Sequence, residues 1–347
     1  MNVKRQTIPS PPRGRGRRAA CRGTPLARRV RGNILGAILL PTLVTIAYAA
    51  EPPNWAYPLN PPVAAQAPSD DLTPKHVPGS NVALTAAQIA GRDGVPDWRP
   101  NEHPPMPQIV AKGRPPAVRA CAYCHLPNGA GRPENAALAG EPSGYIKQQV
   151  TNFRSGDRNG SEPRRVPQNL MLQLAKAVTD AEVEQAAAYF SKLPAISFVK
   201  IVESASAPKT TVSGGMLMRA PEGGTEPIGN RIIEVPDDSV RAEDRDPDVT
   251  YTAYVPPGSL AKGKELATSE TGEKTIACKE CHGDDLKGDG ETVPWIAGRS
   301  PSYIFRQLLD IRNGKRAGSS VPMQMVVEKL APDDMIAIAA YVASLKP

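Results

Sequence analysis

The chain has 347 residues, enough for two domains, but only 5% are aromatic, which is thin for two cores built from protein alone. Its formal charge of +7 arises in the first fifty residues, which hold ten Lys or Arg and no acid; without them 32 basic residues face 35 acidic ones, a net of −3. The basic balance therefore gives no reason to expect nucleic-acid binding.

Residues 1–50 read as an export signal. A basic stretch ends near Arg31, an uncharged and mostly apolar run follows from Asn33 to Ala50, and Ala47-Tyr48-Ala49 is a small-x-small cleavage site. Cleavage is expected after Ala49 or Ala50, placing the mature chain in the periplasm; the alternative is an uncleaved signal acting as a membrane anchor. Of the 5 cysteines, Cys21 would leave with this segment, and the other four fall into two short motifs.

Residues 51–104 form a Pro-rich arm with no sustained period of 2 or 3.6, predicted to be extended and packed down. A helical turn is expected over 84–89, with Trp55, Tyr57 and Trp98 as anchors to a domain surface. His76 and His103 lie here in Pro-rich surroundings and read as surface or hydrogen-bonded residues rather than metal ligands.

The first repeat spans 105–195. A short helix over 106–114 should stop at Pro115-Pro116. Cys121-Ala122-Tyr123-Cys124-His125 then matches C-x-x-C-H, the attachment signature of a c-type haem. Each thiol can form a thioether with a vinyl group, and the histidine becomes the proximal iron ligand. A helix is expected over 145–153, and Thr179 with Glu182 forms a capping box opening another through 181–192.

Residues 196–257 differ in character. Strands are predicted at 209–212, 231–235 and 250–255, and the acidic run from Asp237 to Asp248 reads as a solvated loop. The expectation is a small β insertion against one or both flanking domains, with Met216 and Met218 as packing residues.

The second repeat, 258–347, retraces the first. Cys278-Lys279-Glu280-Cys281-His282 repeats the haem signature. Ile296-Ala297-Gly298 matches Leu138-Ala139-Gly140, and Tyr303, Gln307, Arg312 and Arg316 match Tyr145, Gln149, Arg154 and Arg158. Pro332 opens the last helix, whose Ala339-Ala340-Tyr341 matches Ala187-Ala188-Tyr189. A zinc site made of two C-x-x-C knuckles is the rival, disfavoured by the histidine closing both copies.

What fills the other side of each iron decides between electron transfer and catalysis. Counting back equally from Tyr189 and Tyr341 lands on Met171 and Met323, the expected sixth ligands; core packing is the bland alternative. Met325 competes with Met323. The four paired arginines Arg154, Arg158, Arg312 and Arg316 are either haem-propionate partners or solvated helix ends.

These residues give the chain a resemblance to the di-haem cytochromes c of the c4 type, over about half its length. The resemblance implies a mainly α fold: two tandem class I cytochrome c domains, here with a Pro-rich arm and a β-like insertion as additions. It further implies two covalently bound haems (Cys121, Cys124, Cys278 and Cys281, with His125, Met171, His282 and Met323 on iron) and a periplasmic single-electron carrier. Redox proteins such as a dehydrogenase, a cytochrome complex or a terminal oxidase are its expected partners. In that family a proline often stands two residues before the L/I-A-G stretch; Pro294 does so in the second repeat, but Ala136 occupies the place in the first. A loop carbonyl should still take the proximal histidine's Nδ1 proton. The first repeat is net +4 and the second neutral, which suggests an acidic partner surface for the first. Two alternatives remain open on the residues: a di-haem peroxidase-like enzyme, needing an open iron, and a fixed cytochrome subunit of a dehydrogenase or oxidase complex.

Overall fold

The two repeats fold as two helical clusters, joined by a strand-rich segment and braced by the N-terminal arm. The computed structural model describes residues 52–62, 72–91, 94–269 and 274–347. The expected export signal and its cleavage site lie outside them. No helix among the described residues is long and apolar enough to cross a membrane.

In the arm, Thr85 and Gln88 form a capping box on α1 (Ala86–Ile89). In the first repeat, proline decides the helix lengths. Pro107 stands at the N-cap, and α2 covers only Gln108–Ala111 before Gly113–Arg114 (β1) pairs antiparallel with Val118–Arg119 (β2). The longer helix expected over 106–114 is thus cut short, because prolines on both sides restrict the preceding backbone and remove donors. The motif helix α3 (Cys121–His125) follows, then α4 (Ser143–Ser155), closed by Gly156 in the left-handed region. Next come α5 (Val166–Ala177) and α6 (Asp180–Phe190), the latter opened by the Thr179–Glu182 capping box.

The middle segment holds seven strands rather than the three expected. They are Val199–Glu203 (β3), Ser206–Pro208 (β4), Thr210–Ser213 (β5), Met216–Arg219 (β6), Thr225–Pro227 (β7), Ile233–Pro236 (β8) and Tyr251–Val255 (β9). β9 is central in a three-stranded sheet, parallel to β3 and antiparallel to β8. Its Tyr251, Ala253 and Val255 are buried and alternate with less buried residues, the period of a half-buried strand. Ala253 and Val255 join the core of the second repeat, whereas Tyr251 packs with Phe198, Met216, Met218 and Ala130 of the first repeat's loop. The insertion therefore serves both domains.

The acidic run is not a solvated loop. It contains α7 (Ser239–Glu243), and Asp244 and Asp246 are buried. Arm cations neutralise them: Lys75 Nζ lies 2.6 Å from Asp244, and Arg99 sits 2.6 Å from Asp248 and 3.9 Å from Asp246. Arg241 lies 2.6 Å from Asp246. Buried Trp98 donates Nε1–H to the Asp244 carbonyl at 2.8 Å, so it pins the arm as expected.

The second repeat supplies α8 (Ser259–Thr268), α9 (Lys279–His282), α10 (Pro301–Arg312), α11 (Met323–Val327) and α12 (Pro332–Ser344). α8 crosses α12 at Gly263, where any Cβ would collide with the Ala337 carbonyl. Ala56 and Tyr57 of the arm are buried in this same core, and Trp55 lies 4.5 Å from Phe305, ring centroid to centroid.

Candidate haem sites

In the first repeat, α3 brings Cys121, Cys124 and His125 to one wall of a cavity of about 290 Å³. Met171, from α5, lines the same cavity. Apolar side chains fill in the rest, among them Ile146, Phe153, Leu174, Val183 and Phe190.

The loop after the motif orients the histidine. His125 Nδ1 lies 2.8 Å from the carbonyl oxygen of Ala136. A carbonyl can only accept, so Nδ1 carries the proton and Nε2 keeps its lone pair for a metal. His282 repeats this with the Pro294 carbonyl at 2.9 Å. The expectation that alanine serves as well as proline here holds, because the backbone makes the bond. Gly131, at φ +68°, lets the loop pass close to Ala136, and Gly288 does the same in the second repeat. The Phe190 ring packs edge-on to His125 with centroids 6.2 Å apart.

Burial sets the charge states. It pushes the Cys121 thiol up to about 12 and Cys278 up to about 11, and lowers the pKa of both His125 and His282. A neutral imidazole keeps its Nε2 lone pair for a metal. Among the described residues, no group of three or more Cys, His, Asp or Glu is arranged to hold a bare metal ion.

In the second repeat, Cys278 and His282 are buried and Cys281 is exposed. Met323 is half-buried against the second core, whereas Met325 is 65% exposed. Met216 and Met218 are buried packing residues of the insertion. His76 is exposed, and His103 hydrogen-bonds with Asp97 at 3.2 Å and lies outside the cavity wall.

The four paired arginines divide by position. Arg154 donates to the Ala175 and Val178 carbonyls and pairs with Asp180, and Arg312 donates to the Leu330 carbonyl. Both tie helix ends together. Arg158 and Arg316 meet instead at a reciprocal contact between the repeats. Arg158 donates to Gln149, Tyr303 and Gln307, and Arg316 donates to Gln307, Tyr145 and Gln149. The two arginines also form an antiparallel backbone bridge. The residues had been matched in sequence, but their crossing from one repeat to the other had no sequence signal.

Also absent from the sequence reading are three further cavity residues, Arg165, Arg299 and Arg306. All are buried, and the Nε atoms of Arg165 and Arg299 have no partner. Burial and the nearby Arg306 lower Arg165 to about 9. Buried cations short of partners favour an anionic group in the cavity. The apolar wall, the thiol pair, the free Nε2 and these guanidiniums together fit a haem with its two carboxylates.

Comparison with known proteins agrees. The cytochrome c family model matches residues 110–194 and 260–346. A thiosulfate dehydrogenase electron acceptor from Thiomonas intermedia is 26% identical over 66% of this chain and 80% of its own length. Cytochrome c4 from Azotobacter vinelandii is 24% identical, covering 65% of this chain and 84% of its own. Among solved structures, a thiosulfate dehydrogenase from Marichromatium purpuratum aligns with TM-score 0.46 and 25% identity, over 69% of this chain. The chain spans 39% of that protein's length.

Proposed function

With two tandem cytochrome c domains, the chain belongs to the cytochrome c family as a di-haem, c4-type electron-transfer protein, and we propose that it is a periplasmic carrier whose two irons are both held by histidine and methionine. Each bound haem supplies a one-electron Fe(III)/Fe(II) couple. Cys121 with Cys124, and Cys278 with Cys281, anchor the two groups through thioethers. His125 and His282 present Nε2 to iron, each held by its loop carbonyl. Met171 and Met323 would supply the second protein ligand to each iron. The observation that supports this reading is the single cavity lined by Cys121, Cys124, His125 and Met171. For the second site, the 65% exposure of Met325 favours Met323. Thioether ligation favours the reduced state and leaves no open position for peroxide, which disfavours the peroxidase-like alternative.

The relative named as an electron acceptor supports a dehydrogenase as the donor, met either freely or as a fixed subunit partner. Optical spectra of the oxidised holoprotein test the ligation. The weak long-wavelength sulfur-to-iron band should be halved in Met171→Ala, halved in Met323→Ala and intact in Met325→Ala. Its absence from the unaltered protein would refute the two-methionine assignment.

A further inference from the structure

Arg158 and Arg316 tie the two repeats together by reaching to the related helices α10 and α4, so residues at matching positions can be compared directly. Most pairs are conserved in kind: Tyr145 with Tyr303, Gln149 with Gln307, Arg158 with Arg316. Two pairs break the symmetry. Arg299 of the second repeat corresponds to Glu141 of the first, and Arg306 to Gln148. Both arginines reach across from the second repeat into the wall of the first repeat's cavity.

A third difference adds to these. Between Arg158 and Met171 the first repeat carries Arg165, another buried wall residue, while the stretch between Arg316 and Met323 has no basic residue. Arg299 is paired with the fully buried Glu141, which is not part of the cavity wall. Arg306 is held by the carbonyls of Ala56 and Pro133. Among the described residues neither Arg165 nor Arg306 has a carboxylate within ion-pair distance. Three carboxylates also line the wall: Glu134 pairs with Arg132, Glu162 pairs with Arg164, and Asp310 accepts on one oxygen from Tyr57 Oη–H and the Ser161 backbone N–H, each at 2.7 Å, which spreads its charge.

Fixed positive charge in a dry site disfavours the more positive state of a metal, Fe(III), and favours Fe(II). We propose that Arg165, Arg299 and Arg306 make the first haem site the higher-potential of the two, so that a half-reduced molecule holds its electron in the first domain. This rests on both sites carrying haem, and it assigns the direction of internal transfer: from the second domain to the first. Arg299 and Arg306 act here as cross-domain positioning charges contributed by the partner repeat, so the first site is electrostatically complete only when the two domains are docked.

The test is an optical redox titration of the full-length holoprotein and single variants, fitted to two midpoints. A unit charge ~10 Å from a redox centre, at an effective dielectric of ~20, shifts the electron-partition constant on the order of tenfold. Arg306→Gln should therefore lower the higher midpoint and move the lower one by less than half as much. Gln148→Arg, the reciprocal change, should raise the lower midpoint and narrow the gap. Arg165→Gln, which gives up a hydrogen bond to the Glu134 carbonyl, is read as Arg306→Gln is, and serves if the latter fails to fold. A fall of the lower midpoint by half as much as the higher one or more, or no movement of either, in either arginine variant would overturn the proposal. Failure of the underlying haem reading would look different: the purified protein would lack covalent haem absorbance altogether.

Discussion

Gly131 links the fold of the motif loop to the state of the iron ligand, and replacing it with alanine should disturb both. At φ +68° an alanine costs about 1–2 kcal/mol. Its Cβ would also stand 2.5 Å from the Ala136 oxygen, the acceptor of the His125 Nδ1 proton. That carbonyl must retreat by about 0.5 Å to reach even a tight contact, which stretches a 2.8 Å hydrogen bond worth about 1 kcal/mol. The expected loss is about 2–4 kcal/mol. Gly214→Ala is the control, since it has φ +59° and nothing within 4 Å of the added Cβ, so it carries the backbone cost alone. Denaturant unfolding of both holoproteins, followed in the haem absorbance, measures the difference, expected at about 1–2 kcal/mol. A weakened Nδ1 bond also makes His125 a poorer donor to iron, so the first site's midpoint should rise while the second is unmoved. Equal unfolding midpoints for the two variants, with unchanged redox midpoints, would refute the reasoning.

Two other outcomes are expected. Thr179→Ala removes the hydroxyl that accepts from the Glu182 N–H and donates to the Glu182 carboxylate, leaving only the backbone half of the capping box at the start of α6, and should cost about 1 kcal/mol in the same unfolding assay, with spectra unchanged. Glu182, beside Arg114 and the Thr179 N–H, and Glu162, beside Arg164, are both held down to about 2. Their folded pKa lies below the unfolded value, so their contribution to stability is complete above the ordinary carboxylate range and is lost as pH falls toward about 2. An E162Q/E182Q variant should therefore show a shallower loss of stability over that window. A slope equal to that of the unaltered chain would show that these carboxylates do not carry the acid dependence.

The acidic run 237–248 and the arm show why tertiary context overrules composition. Five aspartates and one glutamate in a dozen residues look solvated on their own. Lys75 and Arg99, more than a hundred residues upstream, allow Asp244 and Asp246 to be buried. Similarly, seven short strands were seen as three, because pieces such as β4 and β7 have only three residues and gain stability from pairing with each other. The capping box of α6 and the start of α12 were legible because their signals are local.

By itself the sequence determined the chemistry: two C-x-x-C-H motifs, a duplicated helical frame, and methionines at one repeat position. Covalent attachment and axial ligation need particular residue types at short spacing, and such patterns survive in a linear string. Only the tertiary structure decided what surrounds the sites. Arg154 and Arg312 became helix ties, and Arg158 and Arg316 became a bridge between domains. Arg299 and Arg306 of the second domain became walls of the first site. Long-range electrostatics depends on which surfaces are pressed together and which charges are dried in the process, and neither is encoded in the spacing of neighbouring residues.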